Sequence, residues 1–502
     1  MRKLFPIIVL LFVSARLCAG EVFRVRGINI DFRTQVMTMS ALKQTVKDAA
    51  GEGINTLLIE WEGSFPFRCN ASLRNRNSFS TQEIRDFVSW CNSLGVDVIP
   101  IQNCFGHCEY ILSQPKYSHL REDNKEISQV CPSKEDVCAD VFESIFREVA
   151  ELHTSKYIHI GADETRLLGR CRRCAAKVAE QGVSALFVDY VARMCEIVHS
   201  LGKTPIIWAD MLLKYPEAAS KLPRDLVVLD WNYGWAPNHF GNIDAIRDLG
   251  FEIWGAPALR SSPDNIFLTQ WKKHFDNLAV YPSFAAEHGY AGLIETSWST
   301  SGTYGVIWDD GRDVYALQPI REVYPLSAFD PLQRAFGKVV NDPCSPFDMD
   351  TFLKGYAEDH FGIGPGPAQD TFVAYFHMEQ GTVTRNNFRQ NIIEKALEDC
   401  SGMREVFSSL KVRKNKKDFA HLVLMLDIRA NYLSFMLERS RDDGASLEGV
   451  KKVVKEGKSL RRRFRRLNRR YLKDPDAPLG KYSYLQAASD LLDVLKNNRV
   501  DI

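Results

Sequence analysis

Two carboxylates stand side by side at Asp163–Glu164, directly after the apolar run Tyr157–Gly161. Adjacent acids oppose joint ionisation, so one of them is favoured to keep its proton. A protonated carboxyl beside an ionised one suits the cleavage of a glycosidic bond. One group protonates the leaving oxygen, and stabilisation is needed for the oxocarbenium-like centre that develops. An Asp-Glu pair alone carries almost no specificity, so its surroundings must discriminate.

Those surroundings are loaded with polar and aromatic residues at the ends of apolar runs. Arg26 and Asp31 lie in the first run, and Glu60-Trp61-Glu62 close the second. Gln102, Asn103 and His107 follow the third, and Trp208 and Asp210 the fifth. The sixth brings Asp230, Trp231, Asn232 and Tyr233, the seventh Trp254, and the eighth Glu295 and Trp298. Any one such charge is explained by a structural salt bridge; a ring of them at one mouth reads as a site. The nine tryptophans all fall between Trp61 and Trp308. Indole walls with carboxylate, amide and Arg rims fit the apolar C–H faces and hydroxyls of sugars. Trp90 and Trp271 sit in helical patterns and are read as packing.

The elements that must position these groups alternate regularly. Strands are expected at 23–31, 55–62, 96–102, 157–161, 204–210, 226–232, 251–255 and 292–298. Each is followed by a helical pattern, as at 40–50, 81–94 and 136–152. Continuous apolar runs between helices are buried parallel strands. Eight such units in this length predict an α/β fold, a (β/α)8 TIM barrel, with function gathered at the C-terminal ends of the strands. A doubly wound sheet would favour a glycine-rich loop after its first strand; here that loop reads Phe32-Arg33-Thr34-Gln35. The catalytic barrel is placed at 21–330 and a helical, Lys- and Arg-rich C-terminal region at 331–502. The run Arg461–Arg466 is read as a solvated helix face rather than a polyanion site.

The net charge of +1 over 502 residues gives no global field that would favour nucleic acid or membranes. Arg2 and Lys3, the apolar run 4–13 and the small residues Ala19 and Gly20 form a Sec-type signal over residues 1–20. A secreted or periplasmic protein with no stable membrane span is therefore expected. Cys171 and Cys174 form a single CxxC; zinc would need two further ligands, from Cys104, Cys108, Cys131 or Cys138, and scattered buried thiols or disulfides are the blander reading.

The stretch Tyr157-Ile158-His159-Ile160-Gly161-Ala162-Asp163-Glu164 resembles family 20 glycoside hydrolases, the β-N-acetylhexosaminidases, whose fourth strand carries His-x-Gly-x-Asp-Glu. Arg26-Gly27-Ile28-Asn29-Ile30-Asp31-Phe32-Arg33 resembles the family's first strand, with an Arg that holds hydroxyls of the terminal sugar. Ser64–Phe67 and Phe105-Gly106-His107 are similar to the stretches after the second and third strands. Within the family, the hexosaminidase D-type subgroup is most similar, with Glu60-Trp61-Glu62 at the second strand. The resemblance covers most of 23–300. It implies an exo-acting enzyme that removes terminal GlcNAc or GalNAc, with the substrate's own acetamido group as nucleophile and an oxazoline intermediate.

Under that resemblance Glu164 is the general acid and then base, and Asp163 orients the acetamido N–H. Arg26, Glu60, Glu62, His107, Trp208, Trp231, Trp254 and Trp298 bind substrate. No metal or organic cofactor is implied, and the partner is a glycan with a terminal N-acetylhexosamine. Two departures stand out. No Tyr occurs in Gly255–Leu259, so Tyr233, ahead of Tyr304, is expected to bond the acetamido oxygen. Thr300 stands where the family has a Glu. A retaining glycosidase using Glu164 and Glu295 is the alternative reaction, and a non-catalytic sugar-binding protein the alternative class.

Overall fold

The computed structural model describes residues 22–261, 264, 269–299, 304–308, 314–319, 324–378, 389–475, 479 and 483–497. The expected signal at 1–20 and Thr300 lie outside these residues, as does the side chain of Tyr304. Eight parallel strands form the centre: β1 (Val25–Asp31), β2 (Thr56–Glu60), β3 (Asp97–Ile101), β4 (Tyr157–His159), β5 (Thr204–Trp208), β6 (Val227–Trp231), β7 (Glu252–Ala256) and β8 (Gly292–Ser297). They pair in chain order, and β8 returns to β1 through Val25–Gly292 and Ile28–Glu295, closing the barrel. All eight expected strands are present, most of them trimmed at their ends.

Side-chain alternation along each strand builds two cores. Leu58, Ile99, Ile206, Leu229, Trp254 and Ile294 fill the barrel interior. Leu57, Ile59, Val98, Ile158, Val228 and Leu293 face outward into the larger core shared with the helices. Each buried side chain of this size contributes about 1.5–3 kcal/mol, so the two layers hold the strand ends rigidly. Helices Met39–Gly51, Thr81–Ser93, Glu135–Leu152, Val183–Ser200 and Trp271–Glu287 surround the strands. Ser80 and Glu83 make a reciprocal capping box that starts the second of these. Helix Asp330–Asn341 completes the ring, its Arg334 donating to Glu52 at the end of the first helix (2.9 Å).

The loop after β3 contains an antiparallel hairpin, Arg121–Asp123 with Glu126–Val130, that strand periodicity did not reveal. The C-terminal region is helical: Met349–Tyr356, Pro367–Phe376, Gln390–Ser408, Lys416–Arg439, Leu447–Asn468 and Tyr484–Asn497. The basic run lies on Leu447–Asn468, where Leu460 and Phe464 are buried while Arg461, Arg462, Arg465 and Arg466 are exposed. No helix among the described residues is long and apolar enough to cross a membrane.

Candidate active site

The C-terminal ends of the strands surround a cavity of about 380 Å³. Strand alternation decides who reaches it. On β1, Ile28 and Ile30 face the helices, so Asn29 and Asp31 face the lumen and Arg33 continues that side beyond the strand. Arg33 Nε lies 3.2 Å from Asp31 Oδ1 and 3.5 Å from Glu60 Oε2, and its guanidinium sits 5.2 Å from the Trp298 ring centroid. Arg26 has the opposite parity. Its guanidinium donates to the carbonyls of Phe23 and Gly53, and it does not line the cavity. The expected position of Arg26 is therefore corrected: Arg33, not Arg26, lines the cavity.

Glu60 ends β2 and lines the cavity, its Oε1 accepting from Asn103 Nδ2 at 2.6 Å. Burial pushes the Glu60 carboxyl up to about 7, against the pull of Arg33. Glu62, two residues on, opens a short 3-10 turn with φ 43°, is buried and does not line the cavity, contrary to expectation. Trp254 is a third correction. It faces the lumen but from a lower layer, fully buried, edge-on to Tyr157 at 5.3 Å, with Nε1 donating to Glu252 Oε1. It plugs the barrel below the pocket.

At the end of β4 the backbone turns through left-handed residues: Gly161 (φ 77°), Ala162 (φ 71°) and Glu164 (φ 46°). His107, across the mouth, is left-handed too, at φ 52°. Non-glycine residues held there carry strain of about 1–3 kcal/mol each, a cost that concentrates at functional sites. The turn fits because two neighbours lack side chains. A Cβ on Gly161 would stand 2.2 Å from Asn103 Oδ1, and one on Gly106 2.4 Å from the Asp163 carbonyl oxygen. The third-strand loop thus rests directly against the carboxylate pair.

His107 Nε2 lies 3.1 Å from Asp163 Oδ2 and 3.4 Å from Glu164 Oε2. Burial opposes its charge, but Asp163, Glu164 and Glu109 outweigh burial and hold the imidazolium well above its ordinary range. Glu164 also pairs with Arg166, while its backbone N–H donates to Asp210 Oδ2 at 3.1 Å. Burial would raise the Glu164 carboxyl, yet bonding to His107 and Arg166 brings it down to about 2. Asp210 moves the other way, to about 7, through burial and then the nearby Asp163 charge. Asp163 Oδ1 is buried and has no hydrogen-bond partner among the described residues.

Aromatic rings form the remaining wall. Trp208 meets Trp298 edge-on at 5.6 Å, and Trp298 Nε1 donates to the Tyr233 hydroxyl at 2.8 Å. Tyr233 packs on Trp231 at 4.9 Å and Trp231 on Phe240 at 4.2 Å. Trp235, stacked on His239 at 4.8 Å, stands at the exposed rim. The structure thus brings Glu60, His107, Asp163, Glu164, Trp208, Trp231, Tyr233 and Trp298 to one cavity. Arg33, Arg166, Trp235, His239 and Phe240 join them, and the sequence reading did not assign them to it.

Glu295 stays outside. It alternates with the lumen-facing Ile294, is fully buried with Glu52 among its electrostatic neighbours, and does not line the cavity. The alternative pairing of Glu164 with Glu295 therefore has no place to act.

A parallel (β/α)8 barrel whose mouth holds adjacent carboxylates inside an indole-walled pocket has the groups that glycosidic cleavage needs: an acid, a second carboxylate and apolar walls for sugar rings. Residues 23–244, within the barrel, match the glycosyl hydrolase family 20 catalytic domain. Hexosaminidase D of Bos taurus is 29% identical over 273 residues, covering 51% of this chain and 78% of that protein. Hexosaminidase D of Homo sapiens is 26% identical over 302 residues, covering 57% of this chain and 62% of that protein. Among solved structures, the β-N-acetylhexosaminidase from Bacteroides fragilis NCTC 9343 superposes with a TM-score of 0.51 at 17% identity, over 67% of this chain and 70% of that one. That last likeness is one of fold.

Proposed function

We propose that this chain is an exo-acting β-N-acetylhexosaminidase that uses substrate assistance, and that residues 1–20 direct it out of the cytoplasm. The observation that carries the reading is the buried, unpartnered Asp163 Oδ1 beside Glu164. A buried acceptor without a donor is costly, so a ligand N–H there is strongly favoured. An acetamido group supplies that N–H and, two atoms away, the carbonyl oxygen that attacks the anomeric carbon. As that C–O bond forms, the glycosidic bond breaks and Glu164 gives its proton to the leaving oxygen. The same carboxylate then takes a proton from the water that opens the oxazoline. The floor of interior side chains, Trp254 among them, makes the pocket blind and suits a chain end.

Arg33 and Glu60 are placed to bond hydroxyls of the terminal sugar, and the indoles to cover its faces. Glu164 must first gain a proton. Arg166 is 72% exposed and is free to swing away when an aglycone enters, which leaves burial of the Glu164 carboxyl opposed by His107 alone. Arg166→Ala raises the Glu164 pKa, so the protonated acid persists to higher pH. The alkaline limb of kcat/KM should move upward, by about one pH unit or less because the pair is solvent-screened. An unmoved or downward-shifted limb would deny the coupling.

Tyr233 accepts from Trp298, and its own proton can be given to the acetamido oxygen in place of the neighbouring Thr296 hydroxyl. Tyr233→Phe should lower kcat by about 3 kcal/mol of transition-state stabilisation with the fold intact by circular dichroism. Turnover equal to wild type would sink that role.

The overall test is substrate choice. Aryl N-acetylglucosaminide and N-acetylgalactosaminide should be cleaved, and the matching 2-hydroxy glycosides barely touched. Comparable rates on both, or a covalent sugar on the protein seen by mass spectrometry, would reject substrate assistance.

A further inference from the structure

Four potential metal ligands from three separate segments meet beside the catalytic loop. Glu122 comes from the hairpin after β3, Cys131 from just beyond it, and Cys171 and Cys174 from the start of helix Arg172–Gln181. One ligand atom of each lies within 4.8 Å of all the others. Cys131 Sγ is 3.5 Å from Cys171 Sγ and 3.6 Å from Cys174 Sγ, and Cys174 Sγ is 3.2 Å from Glu122 Oε2. A disulfide would need sulfurs about 2.05 Å apart. Thiolates around one zinc ion, each about 2.3 Å from it, stand roughly 3.8 Å apart in a tetrahedron. The observed spacing is that of ligands.

The surroundings fit the same use. Glu122, Cys131 and Cys174 are buried, and Leu168, Val178 and Leu186 pack around the sulfurs. The Cys174 backbone N–H points at Cys171 Sγ (3.4 Å), and the Cys171 N–H donates to Glu122 Oε1 (2.7 Å). The second contact orients the carboxylate so that Oε2 faces the sulfurs, the outer bonding that ligands of a metal ordinarily receive. Three sulfurs and one carboxylate in a largely buried cluster select a borderline-soft divalent cation.

We propose that Glu122, Cys131, Cys171 and Cys174 bind a structural zinc ion. Each ligating thiol gives up its proton to solvent as the ion binds, so binding weakens as pH falls. With all four positions taken by protein the site has no open coordination and does no chemistry of its own. Its effect is mechanical. Cys171 stands seven residues after Glu164, and Leu167 N–H already donates to Gln129 Oε1 of the same hairpin at 2.8 Å. The ion would fasten the far end of the loop that carries the acid to the loop that carries His107.

The full chain, purified under reducing conditions without chelator, should hold about one zinc per molecule by elemental mass spectrometry. Cobalt substitution should give a thiolate-to-metal absorption band. Cys174→Ser should retain about a tenth of the metal or less, while Cys400→Ser, in a buried thiol of the C-terminal helices, should retain it all. Chelation should speed amide exchange across residues 165–171. Substoichiometric metal after zinc supplementation and dialysis would overturn the proposal. So would a native mass two hydrogens lower with Cys131 linked to Cys171 or Cys174. Should Cys174→Ser fail to fold, the wild-type stoichiometry and the cobalt spectrum decide the matter. None of these readings depends on turnover, so they stand apart from the substrate assignment.

Discussion

Replacing Glu164 by Gln should cost roughly 10²–10⁴-fold in kcat on alkyl or sugar aglycones, and much less on activated aryl glycosides. A good leaving group departs without a proton, so only the step that needs the acid suffers. The geometry gives the expectation further content. Glutamine keeps an oxygen that can accept from His107 or Arg166 but loses the negative charge that pairs with theirs. His107 therefore loses one of the carboxylates that hold its proton. Its folded pKa falls toward the ordinary value, and the stability it contributes is lost at a lower pH than in wild type. A kinetic loss equal on both leaving groups would remove Glu164 from the acid role.

Asp163→Asn should slow oxazoline formation by about 10²–10³-fold on N-acetylhexosaminides, because a carboxylate that faces developing positive charge is exchanged for a neutral amide. The exchange also turns the Oδ1 or Oδ2 position into a donor facing His107 or the substrate N–H, which clashes with either partner. The effect should fall on kcat for every aglycone, which separates it from Glu164→Gln. A variant whose kcat stays within a few-fold of wild type would mean that the acetamido group is not held there. Nuclear magnetic resonance of His107 would show independently that the electrostatic partner has gone, as a lowered titration point.

The barrel was legible because continuous apolar runs and intervening helical patterns alternate eight times, and the carboxylate pair because strand ends in such a barrel converge. Choosing among polar residues was harder. Arg26 and Arg33 both lie in the stretch that resembles the family, and strand parity separates them: Arg26 shares its face with Ile28 and Ile30, whereas Arg33 continues the side of Asn29 and Asp31. Trp254 has the right parity but the wrong layer, a matter of barrel shear rather than sequence spacing. Trp235, His239 and Phe240 lie in an irregular loop, where no periodicity indicates direction. Asp210 and Asn103 stood at strand ends as expected, but their work is to hold Glu164 and Glu60. The partners of Cys171 and Cys174 could not be chosen from spacing, because Glu122 and Cys131 arrive through a hairpin that the apolar pattern does not mark.

The join between the two ends of the chain carries a consequence for how the enzyme is made. The segment between β1 and the first helix, just past Arg33, is tied down by residues near 470. Thr38 Oγ1 donates to the carbonyl of Arg470 across 432 positions, Lys473 N–H donates to Val36, and Met37 bridges to Leu472. On the ribosome the loop that follows Arg33 emerges well before its clasp. Closure of such a long loop adds contact order and slows the final step of folding. A nascent chain that has not yet released residues near 470, or a barrel cut free of those residues, would leave the loop after Arg33 unfastened.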